Sequence, residues 1–195
     1  KSAKALGFAV VILVLAWSIG NICGDLGTNQ FLTAAFGNSF QPWLLPAVMF
    51  MLSALVAFCT GTSYGTMAIL LPNIVVLAHT MGQSGDFGIG GPAMMMLTIG
   101  AVLEGSIFGD HCSPISDTTV LSSVSTGSDH LHHVRTQAPY ALLVMVVSMV
   151  CGYLPMAFFG PSIPMILGCW TVGLLVILGW LRFVGRSPDL RTDPA

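Results

Sequence analysis

Long apolar stretches separated by short polar ones organise this 195-residue chain. Three of them, residues 5–23, 139–159 and 163–181, carry no charge and are long enough to cross a bilayer as helices. Two others are too long for one plain helix. Residues 43–78 would run roughly 54 Å as continuous helix, against about 30 Å of hydrocarbon. Their polar interruption, Thr-Gly-Thr-Ser-Tyr-Gly-Thr at 60–66, leaves arms 43–59 and 67–78 of about 25 and 18 Å. Neither arm spans, so the pattern predicts a re-entrant helical hairpin with the polar residues at its tip. Residues 93–126 form one good arm, a polar break at 110–117 around Pro114, and a short arm, 118–126, too rich in Ser and Thr to face lipid. That arrangement predicts a discontinuous transmembrane helix. The chain is therefore expected to be an all-α polytopic membrane protein with a single transmembrane domain over 1–195.

Basic residues choose among topologies. With one hairpin, at 43–78, Lys1, Lys4, Arg135, Arg182, Arg186 and Arg191 all share one face. The opposite loops, 24–42 and 79–92, carry Asp25 and Asp86 and no Lys or Arg. The positive-inside rule then puts both ends of the chain in the cytoplasm, with 184–195 as a polar cytoplasmic tail. The Gly-rich stretch 82–92 reads as a flexible outer connection, and 31–41 as a short interfacial helix.

Composition belongs to a membrane protein, expected in the cell (inner) membrane: 54% of residues are hydrophobic and 7% charged, with a mean hydropathy of +0.85. A net charge of −2 without a basic patch excludes a nucleic-acid partner. The five cysteines lie in or beside apolar segments without metal-type spacing and read as small buried hydrophobes. The N-terminal run is of spanning length with no cleavage site after it, and the first residue is not Met. A piece of a longer protein is the expectation.

Acids at membrane depth are costly and mark ion or proton paths, and unwound backbone there must line a cavity or be buried in protein. The break supplies Asp110 and Asp117, with hydroxyls from Ser113, Ser116 and Thr118; the hairpin tip supplies Thr60, Thr62, Ser63 and Thr66. Oxygen donors of this kind suit a small hard cation and not a transition metal, and a buried carboxylate can exchange that cation for a proton. Asp117 is the first choice because hydroxyls flank it in sequence. In the plainer alternative, Asp110 caps one half-helix and Asp117 starts the next. Two interrupted segments in one chain are the mark of a transporter site built from discontinuous helices.

Other groups read more weakly. Glu104, inside an apolar helix, is a candidate proton relay, and His111 a candidate for pH modulation. His130, His132 and His133 read as solvated loop residues, since their spacing is irregular and no Cys or Glu completes a zinc set. Trp and Tyr side chains near span ends, Tyr153 among them, read as interface anchors. An intramembrane hydrolase using Asp110 and Asp117 as an acid pair, or His residues as zinc ligands, is the alternative from another class, but no metalloprotease motif is present.

The block from Gly109 to Thr119, followed by Leu121-Ser122-Ser123, Asp129-His130 and Thr136-Gln137, resembles the NhaC-type Na+/H+ antiporter family of the ion-transporter superfamily. So does Thr60-Gly61-Thr62-Ser63 with Gly65-Thr66 and Leu71-Pro72. The resemblance covers nearly the whole chain. It implies the C-terminal half of an inverted-repeat secondary transporter, in which tip and break meet at a Na+ site, with Na+ and H+ as the exchanged ions and no cofactor. The lipid bilayer and an N-terminal half are the implied partners, and a second copy of the chain is a further candidate. The resemblance carries no role to Glu104. Members that exchange malate and lactate make sodium-linked exchange of a small organic acid the alternative activity.

Overall fold

Glycines and prolines in the polar interruptions decide where helices stop. A computed structural model describes residues 42–84, 90–159 and 162–184, with a few isolated positions between 14 and 31; every element in the three continuous stretches is helical. A 3-10 turn, Pro42–Leu44, leads into α1 (Leu45–Thr60), opened by Pro46 in its first turn. Gly61 ends α1 at φ +68°, a left-handed cap whose N–H returns to the Ala57 carbonyl at 2.8 Å. After two residues α2 (Ser63–Ser84) begins, and α3 (Gly91–Cys112) follows it. Pro114 cannot continue α3, and the chain resumes as α4 (Asp117–Thr126), closed at Gly127 (φ +66°) by bonds from the N–H groups of Gly127 and Ser128 to the Val124 and Ser123 carbonyls. Asp129 caps α5 (His130–Val147), which passes through a π-helical segment, Ser148–Tyr153, into α6 (Leu154–Phe159). The last helix is α7 (Ile163–Val184).

Small residues bring α1 and α3 into contact. Ala101, Gly105 and Gly109 recur every four residues along one face of α3. A side chain at Gly105 would strike the Phe50 carbonyl and Ser53 hydroxyl, and one at Gly109 the Ala54 carbonyl. In a bilayer such close backbone approach replaces hydrophobic driving force with van der Waals contact. The pairing rises in step along both helices, so α1 and α3 run parallel. α2 runs against both: Leu45 and Met49 from the head of α1 share a buried cluster with Ala78 and Met81 from the end of α2 and Met94 from the start of α3. The stretch 43–84 is thus a helical hairpin, with residues 61–62 at its tip. α5 and the π segment run antiparallel to α3, bringing Tyr153 into a buried cluster with Phe50 and Ala101. α7 returns antiparallel to α5, with the rings of Tyr140 and Trp180 edge to face at 5.7 Å.

Several expectations need correction. The second hairpin arm starts at Ser63 and ends at Ser84, about 33 Å instead of 18 Å, because Gly65 and Thr66 are buried inside the helix and not spread along a loop. Arm length therefore gives no reason for the tip to stop at mid-depth. Five described helices are long and apolar enough to cross: Pro42–Thr60, Ser63–Gln83, Gly91–Cys112, His130–Met156 and Ile163–Val184. α3 needs no second half to span, and the break narrows to residues 113–116. Gly82 belongs to α2, not to a loop, and the histidines from 130 onward form the first turn of α5 because Asp129 caps it. Cys59 is exposed, while Cys112, Cys151 and Cys169 are half-buried. The first predicted span, the interfacial helix at 31–41 and the C-terminal tail lie outside the continuously described residues.

Candidate functional site

The parallel packing of α1 on α3 carries the tip of the hairpin to the break after α3. Gly61 lies so close to the break that a Cβ there would sit 2.8 Å from the Ile115 carbonyl oxygen. Ser113, fully buried, donates its hydroxyl proton to the Phe58 carbonyl at 2.8 Å, satisfying an acceptor in the last turn of α1. The two interruptions predicted from sequence meet here.

At the break, Asp110 in the last turn of α3 is 3% exposed. Its Oδ1 accepts from Ser116 Oγ at 2.9 Å and its Oδ2 from Thr118 Oγ1 at 2.7 Å, while the two hydroxyl oxygens lie 2.8 Å apart. Helix geometry explains the convergence: Ser116 caps α4, its hydroxyl accepting from the Thr119 N–H, and Thr118 lies in the first turn. Proton counting makes this triangle informative. It has three oxygen–oxygen contacts, and the two hydroxyls contribute one proton each. A protonated Asp110 supplies the third and closes a ring of donors and acceptors. With Asp110 ionised, one edge holds two oxygens facing each other without a proton, an arrangement relieved by a bound cation. Oxygen donors alone line this triangle, the ligand class of hard cations.

The remaining candidates fall elsewhere. Asp117 begins α4 and is exposed, with its Oδ1 accepting the Thr118 N–H at 2.8 Å; the hydroxyls that flank it in sequence close on Asp110 instead. At the tip, Thr60 and Thr66 spend their hydroxyl protons on their own helix, on the Val56 and Thr62 carbonyls. Thr62 accepts the Gly65 N–H, and Ser63 starts α2, half-buried. The tip therefore reaches the break through backbone and Ser113, not through its own hydroxyl protons. His111 is exposed and bonded to the Ile107 carbonyl one turn back.

Glu104 faces away from Asp110, toward the π segment. Tyr153 donates to its Oε2 at 2.8 Å and packs its ring 5.3 Å from that of Phe50. Tyr153 is buried, a bundle component and not an interface anchor. Glu104, Tyr153, Met156 and Trp170 help line a cavity of about 410 Å³ between α3, the π segment and α7. Sequence reasoning missed His130, whose ring reaches the Pro114 carbonyl at 2.6 Å and Ser123 Oγ at 3.1 Å. The signal available was the Asp129 cap, which makes His130 the first helical residue instead of a loop residue. Among the described residues no group of three or more His, Cys, Asp or Glu could hold a metal ion.

Three curated relatives are similar over most of this chain. An uncharacterized Na(+)/H(+) antiporter of Haemophilus influenzae is 32% identical over 157 residues, 78% of this chain and 31% of that protein. The arginine/ornithine antiporter ArcD of Halobacterium salinarum is 34% identical, over 73% of this chain and 26% of that protein. The malate-2H(+)/Na(+)-lactate antiporter of Bacillus subtilis is 31% identical, over 73% and 28%. The chain thus spans less than a third of the length of these relatives. No solved structure matches it. The family model of the Na+/H+ antiporter family matches residues 1–160, and that match, with the tip and break it includes, places this chain in that family.

Proposed function

We propose that this chain forms the ion-coupling part of a secondary antiporter of the cell membrane that exchanges Na+ for H+, with Asp110 as the group that holds either ion. The observation that carries the reading is the triangle of Asp110, Ser116 and Thr118, which is complete with one added proton or one added cation and short by one without either. Binding is then mutually exclusive, the property a one-for-one exchanger requires. Asp117, exposed beside the same turn, is the secondary acid, and Thr60, Thr62, Ser63 and Thr66 belong to the hairpin tip whose Gly61 backs onto Ile115 of the break. Ser113 joins the two parts. Glu104, bonded to Tyr153, is a candidate proton relay, and His111, bonded to the Ile107 carbonyl, a candidate for pH modulation.

In the intact transporter a further half completes the site. Arg135 and Arg182 lie at the break end of the bundle, α5 beginning there and α7 ending there, which supports a cytoplasmic orientation for that end. The three relatives described above are named as antiporters. Because one of them is named for malate and lactate, sodium-linked exchange of a small organic acid is the second reading.

The test is sodium-driven pH change in proteoliposomes holding the full-length protein. Exchange without any organic anion supports the sodium/proton reading. Exchange that stalls until malate or lactate is added supports the second, and no sodium dependence under either condition refutes both.

A further inference from the structure

We infer that His130 is a positioning residue for the Asp110 site, bracing the segment that carries both hydroxyl partners of the carboxylate. The inference rests on the Asp110 reading proposed above. The imidazole lies between two points of the break and α4. Its Nε2 is 2.6 Å from the Pro114 carbonyl, and its Nδ1 is 3.1 Å from Ser123 Oγ. A carbonyl oxygen only accepts, so Nε2 carries a proton and donates. Ser123 is 1% exposed, and its hydroxyl oxygen lies 2.9 Å from the Val120 carbonyl as well as beside Nδ1, so the ring meets a hydroxyl held in the interior of α4.

Between these two grips lie Ser116 and Thr118. Ser116 follows Pro114 by two residues, and Ser123 follows Thr118 by five. Break residues have no helical ladder to hold them; the Ser116 N–H reaches the Ser113 carbonyl only at 3.4 Å. His130 supplies the missing restraint from another helix, where Asp129 fixes its backbone by accepting the His132 N–H at 2.8 Å. The chain leaves the break along α4 and returns to it at His130, so one ring closes the loop. Without it, Ser116 and Thr118 keep their bonds to Asp110 but lose the fixed frame that sets how far apart they stand.

Three substitutions in the full-length protein test this. His130→Gln places an amide near the Nε2 position and restores a donor to Pro114. His130→Asn reaches only the Nδ1 side, and His130→Ala reaches neither. In proteoliposomes the apparent KM for sodium should rise about tenfold in the Ala and Asn variants, the effect of losing one positioned hydrogen bond, and return to within about threefold in the Gln variant. Maximal rate per folded protein should change less than KM. A merely structural role would lower stability in all three alike, without the Gln rescue, and would overturn the inference. Hydrogen exchange over residues 113–119 of the purified protein gives a readout independent of transport: faster exchange in His130→Ala and His130→Asn, restored in His130→Gln, supports the brace, and equal rates overturn it. Should His130→Ala fail to fold, the Gln and Asn pair decides. An unchanged KM in His130→Ala beside an inactive Asp110→Asn refutes the brace and leaves the site standing. An active Asp110→Asn refutes the site, and the exchange rates then decide the brace alone.

Discussion

Ser113 and Phe58, 55 residues apart in sequence, share a 2.8 Å hydrogen bond that joins the break after α3 to the last turn of α1. This bond turns two local interruptions into one structure. Each alone is a helix end with unsatisfied backbone groups; here the break supplies a donor to one carbonyl of the last turn of α1. Ser113→Ala removes the donor and leaves a carbonyl without its partner, at a cost of about 1–3 kcal/mol. Thermal unfolding of the full-length protein in detergent should show a midpoint lowered by a few degrees, and an unchanged midpoint would mean water replaces the hydroxyl.

The two aspartates should separate sharply. Asp110→Asn keeps volume and hydrogen bonding but cannot ionise, so sodium-driven proton movement should disappear while the fold is retained. Asp117→Asn, at an exposed position, should keep at least about a third of the wild-type rate, the loss of one exposed helix-end charge being a small effect. The reverse ranking in proteoliposomes would move the ion site to Asp117.

Competition of two ions for one carboxylate has a pH signature. Protonation removes the acceptor charge that sodium needs, so the apparent affinity for sodium should weaken as pH falls, at the steepest by about tenfold per unit. Initial rates across a sodium series at several pH values would display this. An affinity independent of pH would show that protons and sodium use separate groups.

The α1–α3 contact should tolerate no side chain at Gly109. Gly109→Val must push apart two backbones, since its Cβ meets the Ala54 carbonyl and the Phe58 N–H. Destabilisation of about 3 kcal/mol or more is expected. Gly168→Ala, with nothing within 4 Å of the added carbon, is the contrast and should be neutral or slightly stabilising. Comparable losses in both variants would remove the packing argument.

Orientation can be read by labelling. Cysteines at His79 and Arg135, in a background without native cysteines, should react from opposite sides of the membrane, because α2 ends where α1 and α3 begin and α5 begins at the break. Reaction of both from one side would contradict the order of helices through the bilayer.

Much of the architecture was legible because its punctuation is chemical. Gly61 and Pro114 end their helices inside polar stretches, and both breaks were found from those stretches, whereas Pro72 and Pro139 lie within helices. The charge-free run at 163–181 needed only counting, and α7 extends it by three residues at its end. What escaped were directions. Ser116 and Thr118 flank Asp117 in sequence, yet capping geometry turns them toward Asp110, a choice that depends on how α4 leaves the break. Tyr153 and Glu104 lie 49 residues apart, and only tertiary packing makes them partners. His130 looked solvated because the helix that begins with it starts in a polar stretch. The polar tip residues Gly65 and Thr66 hid the true start of α2, since burial against other helices lets a membrane helix carry them.

The π-helical turn between α5 and α6 has a geometric result of its own. One extra residue in the winding advances every later side chain by about 100° relative to the earlier ones. Before the turn this span offers Tyr140 and Val147 to Trp180 and Gly173 of α7; after it, Phe158 meets Trp43 at the head of α1, ring centres 4.4 Å apart. A uniform α-helix would keep a single azimuth along its length. The phase slip turns Tyr153 and Phe158 toward Phe50 and Trp43 while the same span stays on α7, where Gly173 faces both Val147 and Cys151, so that one rod touches the outer helix and the hairpin together.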